Sequence, residues 1–404
     1  MTISRHLYAL EVLGTGHRVS ATGGEVTLDE SWSPYVQGTV QIPLPAQEVL
    51  DAIDPRVDAR VRLTLRCVFG EPWPVSALTA DVGGSVAAST AAGAGSVAAV
   101  TARYARPYNL AGMRPSTRRR LNLGVRSRPV DRLAGTVVLT LASDEALMQD
   151  YGLVSTVAIA PDAPTVREAV LLVLSRVGGV LAPGAQDAAI EADAAAWTPG
   201  TSGWDYLTPL VQAAGLRLWC DEGGAWQLTQ PLAPAPGALA FSTSTNLTRL
   251  EDTIDRDAGL WYDAVVVIYR WRDGAGTEQT RYDVAGLPRP RRTYTVTFER
   301  PFPGPGAAAA LLARARGRGR VYAPSAVSDY SATPGQVATI TAPGAPIQTG
   351  MASRVSWSLD EDTMQVRTRD LIDTPTTAWV FLPAGQSWLD SPVGESWLEE
   401  ETHG

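Results

Sequence analysis

Arg60-Val61-Arg62-Leu63-Thr64-Leu65-Arg66-Cys67-Val68 alternates polar and apolar residues from Arg60 as far as Cys67. Successive side chains of an extended chain point to opposite faces, so a period of two marks a half-buried antiparallel strand. The pattern recurs outward from this stretch. Tyr8 to Leu13, Gly38 to Leu44 and Gly135 to Leu141 repeat it between turn residues, so residues 1–160 read as an N-terminal β domain. Within it, Ala77 to Val100 is almost wholly Ala, Gly, Ser, Thr and Val, too small-sided to build a core, and an inserted loop over 77–113 is expected.

After Pro164 the period changes. Val166, Ala169, Val170, Val173, Leu174 and Val177 recur at three and four, Thr165 and Glu168 form a capping box, and Gly178 stands at the stop, which predicts a helix. A second helix is predicted over Trp204 to Ala214, capped by Ser202 and ended by Gly215, with Pro209 expected to kink or restart it. Leu216 to Cys220, the turn Asp221-Glu222-Gly223-Gly224, and Ala225 to Thr229 read as a hairpin, and Pro231 to Gly237 as a linker. Residues 161–245 thus form an α+β segment. Strands return at Ala264 to Arg270, Arg292 to Phe298, Gln336 to Ile340, Arg354 to Leu359 and Met364 to Arg369, with a helix over Ala307 to Ala315. That gives a second β domain at 246–380, interrupted by a helix at about 306–316. The fold class expected is α+β, mainly β, with two β-barrel-like domains.

Composition narrows the function. A chain of 404 residues, 45% hydrophobic and 19% charged, has two or three domains' worth of core and is neither a disulfide scaffold nor a disordered acidic chain. No apolar run approaches the roughly 20 residues that cross a bilayer. Met1 to His6 lacks a secretory apolar region, so the chain is expected to fold in the cytosol where it is made. All 34 basic residues are arginine against 42 acidic ones, and the net charge of −8 argues against coating nucleic acid.

The usual catalytic sets are missing. His6, His17 and His403 are the only histidines, and Ser387 and Ser396 lack the last glycine of a nucleophile elbow. Three histidines with the distant Cys67 and Cys220 match no zinc spacing, and both thiols read as isolated and buried. Asp255-Arg256-Asp257-Ala258-Gly259 starts like a calcium loop but has its glycine one position early, and a Walker loop is impossible without lysine. Asp144-Glu145 and Asp360-Glu361-Asp362 have the chemistry to flank a glycosidic bond, but acidic pairs of this kind read first as solvated turns. No catalytic, metal or cofactor residue is assigned. The arginines gather at 114, 118, 119, 120, 126, 128 and 132, and at 314, 316, 318 and 320. Both groups read as solvated or interfacial, the second as an extended face.

Ser202-Gly203-Trp204-Asp205-Tyr206-Leu207 through Gly215-Leu216-Arg217-Leu218-Trp219-Cys220-Asp221-Glu222-Gly223-Gly224-Ala225-Trp226-Gln227-Leu228 resembles a segment of bacteriophage tail hub proteins. Tyr262-Asp263-Ala264-Val265-Val266-Val267, Pro334-Gly335-Gln336-Val337 and Arg354-Val355-Ser356-Trp357-Ser358-Leu359 follow in the family's order, and Trp32 to Pro43 is similar to the opening strands of siphophage minor tail proteins. The resemblance implies a virion protein of the tail tip, assembled in the host cytoplasm without membrane insertion. It implies a homotrimer whose two β-barrel domains per subunit form a pseudo-sixfold ring that adapts a sixfold tube to a threefold tip and lets DNA pass. Its implied partners are the tail tube or distal tail protein, the tape measure protein and tip or fibre proteins. A structural protein of this kind needs no cofactor and no catalytic centre. Two rival readings remain: a carbohydrate-binding receptor-recognition module using the 12 tryptophans, and a cell-wall-degrading glycoside hydrolase.

Residues 381–404 form a C-terminal tail with an internal repeat, Gly385-Gln386-Ser387-Trp388-Leu389-Asp390 and Gly394-Glu395-Ser396-Trp397-Leu398-Glu399. Each copy matches a capping box, and the spacing of nine puts the two tryptophans on different faces of either a helix or a strand. Trp388, Leu389, Trp397 and Leu398 are therefore candidate anchors, docking in separate pockets on a neighbour or on their own chain. Deleting Gly84 to Ala94 is expected to leave a soluble protein with an unchanged circular dichroism spectrum, because shortening a loop costs little. Insoluble protein would make the stretch an inter-subunit contact instead.

Overall fold

The computed structural model describes residues 4–69, 117–254, 261–315 and 319–374. The expected loop at 77–113, the calcium-like start at Asp255 and the tail with Trp388, Leu389, Trp397 and Leu398 lie outside the described residues. The chain is α+β and mainly β. Its first part holds β1 (Ser4–Val12), β2 (Arg18–Ser20), β3 (Gly23–Asp29), β4 (Val36–Pro43), helix α1 (Gln47–Ala52), β5 (Arg60–Phe69), β6 (Thr117–Ser127), β7 (Val130–Asp131) and β8 (Thr136–Ala142). Helices α2 (Glu145–Asp150), α3 (Val166–Val177) and α4 (Gly203–Ala213) follow, then the hairpin β9 (Arg217–Cys220) and β10 (Trp226–Thr229). The last part holds β11 (Ala238–Ser242), β12 (Leu247–Ile254), β13 (Ala264–Arg272), β14 (Glu278–Gly286), β15 (Thr293–Phe298), α5 (Ala307–Ala315), β16 (Arg320–Val327), β17 (Val337–Thr341), β18 (Ile347–Ser358) and β19 (Thr363–Thr374).

The alternation that opens the sequence reading is strand β5. Val61, Leu63, Leu65 and Cys67 are fully buried while Arg66 faces solvent, and β5 lies between β1 and β6. Each such apolar side chain contributes roughly 1.5–3 kcal/mol on burial. Among the described residues no barrel closes. The barrel-like units expected from the sequence are instead joined in one 14-stranded sheet, because β3 pairs with β18. From β18 the sheet runs through β19 and β16 to β12, and from β3 through β4, β8, β6, β5 and β1 to β2. It curls on the way: the Thr22 amide beside β2 donates to the Gln41 carbonyl of β4 at 2.8 Å.

A second core forms between α3, α4 and the hairpin. Thr165 Oγ1 accepts from the Glu168 amide and Gly178 takes the left-handed conformation at φ 82°, so α3 starts and stops at its sequence signals. Ser202 caps α4 in the same way, but the break expected at Pro209 is absent and α4 is one continuous helix. Pro209 removes one amide, yet Tyr206, Leu207, Leu210 and Val211 are all buried around it, and that packing outweighs the lost bond. Trp197 stacks on Tyr206 at 5.4 Å and Trp226 closes the hairpin side. The third core lies between α5 and the separate three-stranded sheet, in which β14 is antiparallel and β15 parallel to β13.

Glu145 joins the first two cores. Its side chain is completely buried, and one carboxylate oxygen accepts from the Tyr35 amide at 3.1 Å and the Cys220 amide at 2.9 Å. The solvated turn expected at Asp144-Glu145 is thus corrected. Asp144 pairs with Arg60 at 2.5 Å, and Glu145 ties the turn before β4 to the end of β9. Burial pushes the Glu145 pKa above the usual carboxylate range. Glu145→Ala is expected to destabilise the chain in urea unfolding by several kcal/mol, since each of two stranded buried amides costs about 1–3 kcal/mol. Glu145→Gln, which keeps an acceptor and removes the buried charge, should lose much less.

Candidate functional site

Residues singled out in the sequence are mostly engaged within the fold. Arg119 pairs with Glu222 at 3.2 Å, lies over the Trp357 ring at 5.1 Å and donates to the Ala332 carbonyl. Arg126 pairs with Asp150 at 2.6 Å, and Arg128 donates to the Leu50 carbonyl at 2.6 Å. Arg118 and Arg120 point outward from β6, and Arg132 is exposed beyond β7. The second group does not hold as an extended face throughout: Arg314 sits in the last turn of α5, where a cation suits the helix dipole. Arg320 bridges Asp252 at 2.9 Å and Asp373 at 3.0 Å. Arg114, Arg316 and Arg318 lie outside the described residues. Asp360 accepts from the Gly24 amide at 3.1 Å, so the acidic run at the β18–β19 turn is tied back to β3.

One constellation escaped sequence reading. Cys67, expected to be isolated, has its Sγ 3.6 Å from His6 Nε2, and His6 Nδ1 is 2.8 Å from the Tyr330 hydroxyl. Tyr8 donates to Asp362 and lies 3.0 Å from the Tyr330 hydroxyl, while His6 Nδ1 is 3.9 Å from Asp362 Oδ1. Cysteine, imidazole and carboxylate in this order resemble a nucleophilic triad, but the protonation states oppose one. Cys67 is fully buried, and burial with the Asp329 and Asp362 charges pushes its thiol up to about 12. Burial also holds the His6 pKa below its ordinary value, against the pull of Asp362. A neutral thiol and a neutral imidazole form a hydrogen-bonded node between β1, β5 and the segment after β16. No signal in the sequence links positions so far apart.

Two surface features of the described residues carry exposed aromatic side chains. A cavity of about 290 Å³, small for a ligand pocket, lies between the turn after β3 and α4 and is lined by Trp32, Trp204, Leu207, Gln212, Arg217 and Arg314. Trp32 is 44% exposed, but the Arg354 guanidinium covers its ring at 4.4 Å, which leaves less of it as a stacking platform. The other surface is the face of the three-stranded sheet opposite α5, where Tyr282 and Val284 are each 64% exposed. Among the described residues no helix is long and apolar enough to cross a membrane, and no group of three or more His, Cys, Asp or Glu side chains is arranged to hold a metal ion.

A mainly β chain with one curled 14-stranded sheet, a helical middle segment and a mounted three-stranded sheet has solved counterparts. The tail protein of Neisseria meningitidis MC58 matches at 13% identity with a TM-score of 0.51, over 90% of this chain and 96% of its own. The 43 kDa tail protein of prophage MuSo2 from Shewanella oneidensis matches at 10% identity and the same TM-score of 0.51, over 90% of this chain and 98% of its own. The fold is that of these tail proteins. No protein-family model and no curated protein matches the sequence.

Within this tail-protein fold the His6 node has a measurable signature. An unfolded histidine titrates near 6.5, and the folded one lower, so between those values the unfolded state binds more protons. Stability from this group is therefore fully present above about pH 6.5 and declines as pH falls toward the folded value. Urea unfolding at pH 7.5 and 5.5 should show a smaller pH-dependent loss for His6→Gln than for the native chain. Equal losses would mean that His6 titrates alike in both states.

Proposed function

We propose that the chain is a structural hub protein of a bacteriophage tail tip, without a catalytic step. The carrying observation is the fold shared with two tail proteins along nearly the full length of all three chains. The architecture supports the finer reading. Two β-rich regions, one before and one after the helical segment, are held in a single sheet through β3 and β18, so each subunit presents two β walls in fixed relation. Three subunits then supply six walls, which suits a ring that adapts a sixfold tube to a threefold tip, leaves a lumen for DNA and anchors the neighbouring tube, tape measure and fibre proteins. Strand edges at β2 and β12 end the large sheet and are natural joints between subunits.

Native mass measurement of the purified chain is expected to give about three times its 42.9 kDa, with rings of pseudo-sixfold outline in electron micrographs. A chain that stays single at high concentration and in the presence of its tail tube would sink the trimer. Binding on a glycan array would favour the carbohydrate reading, and hydrolysis of cell-wall polymer the enzymatic one.

A further inference from the structure

The core of β13 reads Val265-Val266-Val267-Ile268-Tyr269, apolar on both faces. Strands of that kind are ordinarily covered on both sides. The inner residues Val265, Val267 and Tyr269 are fully buried against Ala307, Ala308 and Leu312 of α5. Among the described residues the outer row has no such cover. Val266 stands beside Val284 and Ile268 beside Tyr282 in the β14 register, with Thr295 and Thr297 of β15 on the other side. The result is an aromatic and aliphatic face, open to solvent at Tyr282 and Val284. Its rim is basic: Arg270 and Arg272 continue the same row outward, and Glu278, opposite Arg272, is the one acidic residue among these outward strand positions.

The segment with matching chemistry belongs to the chain itself. Residues 385–404 carry two Trp-Leu pairs, five carboxylates (Asp390, Glu395, Glu399, Glu400 and Glu401) and no arginine. The described chain leaves β19 close to this sheet. Asp373 accepts from Arg320, and the adjoining Gly319 is packed so closely on the Trp261 indole that a Cβ there would lie 2.8 Å from the ring. Trp261 is three residues ahead of β13. Trp388 is fourteen chain steps beyond Thr374, a reach of up to about 46 Å at 3.3 Å per step, longer than the sheet's nine-residue strands at about 30 Å.

We propose that the outer face of β13, β14 and β15 is the docking site of the chain's own C-terminal segment, residues 385–399, with Trp388-Leu389 and Trp397-Leu398 at separate points on the Val266, Ile268, Tyr282 and Val284 face, Pro392 between the copies freeing the two pairs from sharing one regular element, and the segment's carboxylates toward Arg270 and Arg272. Aromatic anchors supply the burial and the charges set the orientation. The inference rests on the sheet and the tail sequence and does not depend on the tail-hub reading.

The test uses the full chain with a benzophenone amino acid in place of Tyr282, an exposed position where substitution leaves the core intact. Irradiation is expected to link this position to peptides from 385–399 within a single chain, so the denatured product keeps the mass of one chain. The double variant Trp388→Ala, Trp397→Ala should lower the yield at least fivefold. Arg270→Glu with Arg272→Glu should lower it at least twofold at low salt and less at high salt. Crosslinks to any other segment, a product with the mass of two chains, or a yield unmoved by the tryptophan changes would each overturn the proposal. A trimer that shows no such crosslink would leave the hub reading standing and remove this one.

Discussion

The pairing of β3 with β18 holds the molecule in one piece. Arg354 to Ser358 run antiparallel to Asp29 to Glu25, joining segments more than 300 positions apart in sequence. One face of this seam buries Val26, Leu28, Val355 and Trp357 completely, and the Trp357 indole N–H donates to the Asp329 carbonyl at 3.2 Å. The other face carries the Thr27 to Ser356 hydroxyl bond at 2.8 Å. Beside the seam, Arg369 and Glu30 form an ion pair at 2.6 Å with both side chains about 4% exposed. Closing so long a loop adds only about 0.6 kcal/mol per doubling of length, so distance in sequence is a modest equilibrium cost. It does weigh on folding rate, because most of the large sheet has to assemble from non-local partners.

Polar side chains fasten distant parts of the chain to one another. Glu145 bridges the β sheet to the helical segment, Glu30 and Arg369 brace the seam, and the His6, Tyr8, Tyr330 and Asp362 node fastens β1 to the last part of the chain. Burying such groups yields little net stability, but stranding one partner costs about 3–5 kcal/mol. Packing of Val, Leu and Ala alone would tolerate small shifts between layers. A carboxylate facing two defined amides tolerates far less.

Local physics was legible in the sequence, and long-range physics was not. Period-two alternation located β5, and the Thr165, Glu168 and Gly178 signals bounded α3, because those patterns are complete within a few residues. The hairpin turn at Asp221 was equally plain. The same device recurs unread at Asp273, whose carboxylate accepts from the Ala275 and Thr277 amides and from Gln279, as Asp221 does from Gly223, Ala225 and Gln227. It was missed because its second strand, Glu278-Gln279-Thr280-Arg281-Tyr282, is a polar edge without alternation. The 314 to 320 arginine spacing suggested a strand, yet the alanines before it carry Arg314 into a helix. Of the candidate site, the Trp-Leu repeat was visible as a motif, while the apolar outer face of the three-stranded sheet emerged only from the β13 and β14 register. The triad-like arrangement of Cys67, His6 and Asp362 had no sequence signal at all, since it depends on the pairing of β1 with β5 and the return of the β18–β19 turn.

The three-stranded sheet is mounted rigidly enough for its outer face to act as a fixed surface. Asp283 is buried on the inner side of β14, and one of its oxygens accepts from the Gly306 and Ala308 amides at 3.0 and 2.9 Å, capping the start of α5. A carboxylate there satisfies otherwise unpaired amides and opposes the positive end of the helix dipole. Gly306 itself has φ 134°, and a Cβ at that position would lie 2.1 Å from the Ala213 carbonyl at the end of α4. Only glycine admits both the conformation and the approach. The sheet is thereby clamped through α5 onto α4, and through Arg300, which donates to the Tyr206 and Ala194 carbonyls, onto the second core. Its outer apolar row is therefore held by the folded body of the protein rather than by a loop, and a segment docking there meets a surface that is already ordered before contact, which reduces the entropy lost on binding.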